Sequence, residues 1–480
     1  MLTDDARYAA MTARDPRFDG LFFVGVQTTG IYCRPICPAR LPARTRCEFF
    51  ASPALAERAG FRACFRCRPE LAPGAAPTDA VDTLVASAAQ RIGEGALNER
   101  SLDELAAELG VSARHLRRAT EAKLGVSPVE LAQSRRLALA KQLVQDTALP
   151  LTEIAFAAGF GSVRRFNAVF SARMGRSPSS LRSARTATPA PLTLRLDYRP
   201  PYDWAHVLGF LRGRAIPGVE IVGTDDYRRV VRLDGKIGTI RVRHLPGGGT
   251  RRSSIELAIA PALLPVLMPL VARVRRMFDL DAQPAAIGAV LGIDKQLAPL
   301  VKRRPGLRVP GAIDPFEASI RALLGQQVSV AAATTLAGRF AAAFGAPHDG
   351  GDGLTTRFPT VDEVVAAGPD RIGKLGLPRT RAAAIHNFAR VLARGELVLD
   401  AACDLDVFVA QLVELPGIGP WTAHYLAMRA LHVPDAFPAS DLGVQKALRR
   451  SGPRAAEARA EAWRPYRAYA VMHLWSSLGD

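Results

Sequence analysis

The chain has 480 residues, a formal net charge of +18 and a pI near 10.3. Its length leads us to expect three or four domains, and 48% hydrophobic residues suffice for several packed cores. The charge fits a polyanion partner, although alone it does not separate DNA binding from a merely basic protein. Six cysteines, five of them before residue 68, are no disulfide framework. The longest apolar run, 257–272, is broken by Pro261, Pro265 and Pro269 and is too short to span a bilayer. The N-terminal stretch MLTDDARYAAMTARD lacks the apolar core of a secretory signal. We therefore expect a soluble monomer in the cytoplasm, associated with the nucleoid and not with a membrane.

Taken in order, the chain opens with two close thiol pairs, Cys33/Cys37 and Cys64/Cys67. Such pairs have structural-zinc spacing, where four thiolates close a tetrahedral site, and a domain this small needs that staple. Spacing alone leaves the reading at a structural zinc knuckle. The segments FVGVQTTGIYCRPICPAR (23–40) and GFRACFRCRPE (60–70) resemble the N-terminal domain of the Ada-type methylation-response proteins. That resemblance implies that Cys33 is both a zinc ligand and a methyl acceptor. Cys47, outside the pairs, is expected as a small buried apolar residue.

LAPGAAPTD (71–79) reads as a linker. Two helix-turn-helix signals follow. In SLDELAAELGVSARHLRRATEAKLG (101–125), Ser101 and Glu104 form a capping box, and the Gly110 turn precedes a helix with Arg114, Arg117 and Arg118. In PLTEIAFAAGFGSVRRFNAVFSARMGRSP (150–178), Gly159 and Gly161 mark the turn, and Arg164, Arg165 and Asn167 open the next helix. An arginine-rich helix after a tight turn suits the major groove. The tandem, with GFGSVRRFNAVF in its second member, resembles the AraC-type DNA-binding domain. The linker TATPAP (186–191) closes this part.

Residues 192–280 alternate in LTLRLDY, EIVGTDDYRRVVRL and GTIRVRHL, which predicts strands around a helix over 202–214. From about Gln283 the pattern is helical. Near its end stands LPGIGPWTAHYLAMRALHVPDAFPASD (415–441). Gly417 and Gly419 permit positive φ and close approach, so that backbone N–H groups and the N-terminus of a helix starting near Pro420 meet a phosphate. Asp441 follows after a Phe-Pro turn; on its own it would read as a helix cap.

This hairpin, with 200–215, 305–339 and 463–479, resembles the helix-hairpin-helix (HhH-GPD) DNA glycosylases of the AlkA type over roughly 191–480. The resemblance implies that Asp441 is the catalytic carboxylate, facing the cationic sugar as the base departs. It makes Trp421, Tyr425 and Trp475 the pocket for a flipped, electron-poor base. It places Gln327 at the wedge that fills the emptied stack, where relatives carry an apolar residue. Gly417, Gly419 and Thr422 would meet the DNA backbone. Trp421 stands where lyases of this group carry lysine, which implies base removal without strand cleavage. One cysteine after residue 67 excludes an iron–sulfur cluster on four C-terminal cysteines. A monovalent cation on the hairpin carbonyls is a further implication.

The expected architecture is multidomain and mainly α. It comprises a small zinc-bound α/β domain (1–75) and an all-α double helix-turn-helix domain (80–185). An α+β AlkA-type N-terminal domain (191–283) and an all-α HhH-GPD domain (284–480) follow. The Pro-Cys-His-Arg acceptor motif common at the end of Ada-type proteins does not occur. The expected activities are excision of alkylated bases of the 3-methyladenine type, single-turnover methyl acceptance and methylation-dependent transcription control. The partners are double-stranded DNA, alkylated or promoter, and RNA polymerase. Two rival readings are a regulator with an inactive glycosylase half, and a glycosylase whose front half only docks on DNA.

Overall fold

The computed structural model describes residues 2–74, 83–182, 192–247, 253–400, 403–449 and 452–479. The linker expected at 71–79, from residue 75 onward, and the linker at 186–191 lie outside the described residues. The chain divides into two compact units, Met1–Pro200 with Leu245–Ala272, and Pro201–His244 with Arg273–Asp480.

The first unit opens with a four-stranded sheet in the order Cys47–Phe50, Phe23–Val26, Ile31–Cys33, Arg62–Ala63. The first three strands pair antiparallel and the last parallel. Cys47 joins Met11, Phe22 and Val24 in a small core beneath it, the buried apolar role expected of it. Nine-residue helix Asp4–Thr12 covers that core.

Two helix-turn-helix motifs follow. Leu102–Glu108 and Ala113–Leu124 make the first, with the Ser101/Glu104 capping box formed. Leu151–Ala157 and Val163–Met174 make the second. The helix Pro128–Asp146 runs between them as a spine. Gly110 and Gly159 take positive φ at the two turns, whereas Gly161 does not. Strands Leu192–Asp197 and Ser254–Ile259 form an antiparallel pair in the same unit.

Buried charges tie this unit together. Arg34, between Cys33 and Pro35, is almost fully buried and pairs with Asp19 and with Asp197 of the Leu192–Asp197 strand. Arg199 Nε donates to the Asp19 carbonyl at 2.9 Å. Lys141 of the spine reaches the Cys64 carbonyl and Glu70 Oε2, both at 2.8 Å.

In the second unit, EIVGTDDYRRVVRL forms two strands where one run of alternation was expected. Glu220–Val222 and Asp226–Leu233 are separated by a turn at Gly223, and Lys236–Leu245 completes the antiparallel set. Helix Trp204–Arg212 precedes them. The rest is helical from Pro284–Leu291 to Arg467–Ser476, apart from a ladder pairing Ala346–Pro347 with Thr356–Arg357. Periodicity cannot register strands of two residues. One continuous core runs through this unit, including Ile418, Ala423, Leu426 and Ala427 of the hairpin region. Among the described residues no helix is long and apolar enough to cross a membrane.

Removing one partner of a buried ion pair strands the other charge. Arg34→Met leaves two buried carboxylates, so we expect the first unit to lose about 3–5 kcal/mol. Denaturant unfolding of the full chain, followed by a probe in the first unit, checks this. Arg17→Gln, which removes only the ion pair of an exposed side chain with Asp15, should give no measurable shift.

Candidate active site and metal centre

The helices Leu405–Val413 and Pro420–Arg429 flank the Leu415–Gly419 hairpin. Gly417 has φ 83°, and a Cβ there would lie 2.6 Å from Ala384 Cβ, so two independent constraints require glycine. Gly419 behaves differently from expectation. It is extended (φ −94°, ψ 174°), caps the next helix, and has nothing within 4 Å of its Cβ position. Its contribution is open space in front of a helix N-terminus whose first residue is Pro420. Thr422, expected at the DNA, is only 2% exposed, and its hydroxyl accepts from Gln326 Nε2 at 3.0 Å. The same amide donates to the Gly417 carbonyl at 2.9 Å. The Thr422 side chain therefore braces the hairpin from within, because its helical position faces the core.

Asp441 caps the helix Leu442–Ala447. The two readings of this residue, cap and functional carboxylate, therefore coincide. Its Oδ1 accepts from Val444 N at 3.0 Å and from Trp475 Nε1 at 2.8 Å. Its Oδ2 accepts from Trp421 Nε1 at 2.9 Å. Trp421 stacks on Tyr425 with ring centroids 5.2 Å apart, and Tyr425 lies 6.4 Å from Trp475. Gly443 leaves room for this arrangement, since a Cβ would stand 2.8 Å from Trp475 Cδ1. A carboxylate has about four lone-pair positions. Three are occupied here, which fixes its orientation and leaves it one position for a cation.

A cavity of about 1190 Å³ is lined by Asp441, Trp421, Tyr425, Trp475, Gln327, Gly417, Gly419 and Thr422. One space thus gathers every residue singled out in the glycosylase half. Gln327 is exposed, with φ 56°, between Gln326 and Val328. It stands in the loop between the helices Pro315–Leu324 and Val330–Phe344. Leu442, 86% exposed beside Asp441, also lines the cavity and was not anticipated.

The far wall was not anticipated either. Glu220 and Glu317 bond Arg229 and Arg321 there. Arg214 and Arg429 have no carboxylate partner among the described residues. They flank the Phe210 ring at 3.8 and 4.6 Å. Burial pushes the Arg429 guanidinium down to about 10. Burial would raise the Tyr425 phenol, but Arg429 and Arg214 outweigh it and hold it below its ordinary value. No sequence signal marks these residues, which are ordinary charges on separate elements.

In the first unit the sulfurs of Cys33, Cys37, Cys64 and Cys67 lie within 4.8 Å of one another. Tetrahedral zinc with bonds near 2.3 Å needs sulfurs about 3.8 Å apart, so the quartet fits the ion. Backbone N–H groups of Arg34 and Arg66 point at Cys67 Sγ (3.3 Å) and Cys64 Sγ (3.4 Å), as they do around thiolates. Cys64 and Cys67 are buried, while Cys33 and Cys37 are partly accessible. Arg114 and Arg117 on one helix, and Arg164 and Arg165 on the other, are all exposed. The purified chain should carry one zinc, and cobalt substitution should give the charge-transfer absorption of a tetrathiolate. Cys64→Ser should lose both; a full metal complement in that variant would contradict the assignment.

Four family models match in order. They are the metal binding domain of Ada (6–70), a helix-turn-helix domain (105–184), the AlkA N-terminal domain (193–314) and the HhH-GPD superfamily base excision DNA repair protein (320–466). The chain is 40% identical to the probable bifunctional transcriptional activator/DNA repair enzyme AlkA of Mycobacterium tuberculosis (strain H37Rv), over 98% of this chain and 96% of that protein. It is 34% identical to DNA-3-methyladenine glycosylase 2 of Escherichia coli (strain K12), over 59% of this chain and 97% of that one. Among solved structures, the 3-methyladenine DNA-glycosylase of Archaeoglobus fulgidus shares the fold, with a TM-score of 0.50 and 23% identity over 59% of this chain and 97% of that one. The chain therefore belongs to the family of bifunctional transcriptional activator/DNA repair AlkA proteins, which joins an Ada-type metal-binding domain and a helix-turn-helix domain to an HhH-GPD glycosylase domain.

Proposed function

We propose that the second unit excises alkylated bases of the 3-methyladenine type from duplex DNA by hydrolysis, and that the first unit accepts a methyl group from DNA phosphotriesters at Cys33 and controls transcription. Four functional segments, 1–75, 80–185, 191–283 and 284–480, divide these tasks.

The observation that carries the first part is the Asp441 carboxylate, held by two indole N–H groups and one backbone N–H at the wall of an aromatic cavity. The hairpin N–H groups hold the DNA backbone while Gln327 occupies the vacated stack. The flipped base lies against Trp421, Tyr425 and Trp475. An alkylated purine is already cationic, so the glycosidic bond breaks with its electron pair going to the departing base. The sugar is left cationic, and the remaining lone-pair position of Asp441 stabilises it. Water adds to the sugar carbon and its proton passes to solvent or Asp441. No lysine lines the cavity among the described residues, which supports hydrolysis without a Schiff base.

Asp441→Asn keeps the shape and removes the charge. Base release from methylated duplex should fall by about two orders of magnitude or more, with DNA binding retained. Borohydride added during wild-type turnover should trap no enzyme–DNA adduct. Near-wild-type excision by the variant, or a robust adduct, would overturn the reading.

For the first unit, zinc would keep the four sulfurs as thiolates, giving a site of formal charge −2. The Cys33 sulfur attacks the methyl carbon of a phosphotriester. The carbon–oxygen bond breaks, a phosphodiester anion leaves, and Cys33 becomes a neutral thioether. The site then carries −1. One charge at about 8 Å from a phosphate, at an effective dielectric near 20, is worth roughly 2 kcal/mol. Methylated protein should therefore bind its promoter more tightly than unmodified protein, by a margin that shrinks as salt rises. A salt series comparing unmodified, methylated and Cys33→Ala protein tests this. Equal affinity of the first two at low salt would contradict it.

A further inference from the structure

The two recognition helices end alike. Ala113–Leu124 runs into Gly125 (φ 72°) and Val163–Met174 into Gly175 (φ 66°). A Ser-Pro pair then opens the next helix in each case, at Ser127-Pro128 and Ser177-Pro178. A helix C-terminus leaves carbonyls unsatisfied and carries partial negative charge. In both helices an arginine of the zinc-bearing segment takes one of these carbonyls. Arg58 Nη1 donates to the Gly125 carbonyl, and Arg62 Nη1 to the Met174 carbonyl at 3.4 Å. A third bond runs back from the second helix, Arg173 Nη1 to the Glu57 carbonyl at 3.1 Å.

The contacts are close. A Cβ on Gly125 would stand 2.7 Å from Leu55 Cδ2, and one on Gly175 would stand 2.8 Å from Arg62 Nη1. Ala54 of the short helix Pro53–Arg58 is buried in the same core as Leu105 and Leu116 of the first motif. The segment is also continuous with the metal centre. Arg62–Ala63 is a strand, the next residue is the ligand Cys64, and Lys141 of the spine helix holds the Cys64 carbonyl. Residues 53–64 therefore touch the first recognition helix, the second, and the spine between them.

The spine packs on the first motif through Leu131 and Ala132, but residues 53–64 are what bond the far ends of both recognition helices. Binding energy from two helices adds fully only when their spacing matches that of the two half-sites. We propose that residues 53–64 form a strut that sets the spacing and tilt of both recognition helices, which makes Arg58 and Arg62 positioning residues for sequence-specific DNA binding. The zinc-bearing domain thereby has a second task besides methyl acceptance, which is to make the two motifs one rigid reader. This rests on the reading that both helices contact DNA.

The test uses the full zinc-loaded chain and a duplex selected from a random library by the wild-type protein. Affinity is measured on that duplex, on one with two base pairs inserted between the half-sites, and on one with a scrambled second half-site. The insertion rotates one half-site by about 70° relative to the other. Wild type should lose about tenfold or more on the insertion duplex. Arg58→Gln/Arg62→Gln should bind the selected duplex more weakly but lose less than about threefold on the insertion. Arg58→Lys/Arg62→Lys, which keeps a donor and a charge at each helix end, should restore most of the spacing penalty. Partial unfolding would lower affinity on all duplexes alike and leave the penalty unchanged, as would a strut with no positioning role; an unchanged penalty in the glutamine variant overturns the proposal. If scrambling the second half-site costs wild type nothing, the two-helix reading itself has failed, and the strut fails with it.

Discussion

The carboxylate of Asp441 is the point on which the second unit depends. Its three hydrogen bonds come from separate elements: the helix after the hairpin supplies Trp421, the final helix supplies Trp475, and the helix that Asp441 caps supplies Val444 N. Bonds to an ionised acceptor are stronger than neutral ones, so each also holds its own element in place. The aromatic cavity and the placed negative charge are consequently one construction. The indole N–H groups that fix the carboxylate belong to the rings that line the cavity. Gly443 is part of the same construction, because any Cβ there would displace Trp475.

The first unit depends on buried charge of a different kind. Arg34 with Asp19 and Asp197, and Lys141 with Glu70, join the thiol-bearing loops to a strand of the downstream pair and to the spine helix. Ionic contacts of this sort gain little free energy over an apolar packing, but separating the partners leaves a buried charge uncompensated. They therefore hold the elements they join together. The metal quartet sits where three such contacts meet, so its geometry is tied to that strand and to the spine helix.

Local patterns made much of this legible. The capping box at Ser101/Glu104, the Gly110 and Gly159 turns, the helix beginning at Pro420 and the four-thiol quartet all follow from short-range rules, and all are present. The carboxylate and its aromatic neighbours were legible only through resemblance, because Trp421 and Trp475 are brought together by tertiary packing. Thr422 and Gly419 show the limit of reading a motif residue by residue. One turns inward and the other needs no positive φ, although both stand in the expected place. The Arg214–Arg429 wall and the Arg58–Arg62 strut left no trace in the sequence. A lone arginine at a helix end or on a strand looks the same whether it faces solvent or a carbonyl far along the chain.

The most direct measurement follows both chemistries in one reaction. Purified protein is incubated with excess methylated duplex DNA, free bases are quantified over time, and the chain is then mapped for methylated cysteine by mass spectrometry. The account predicts free 3-methyladenine well in excess of the protein, with at most one methyl per chain, located at Cys33. Base release that stops at one equivalent or never begins, or a methyl group on any other cysteine, would contradict it.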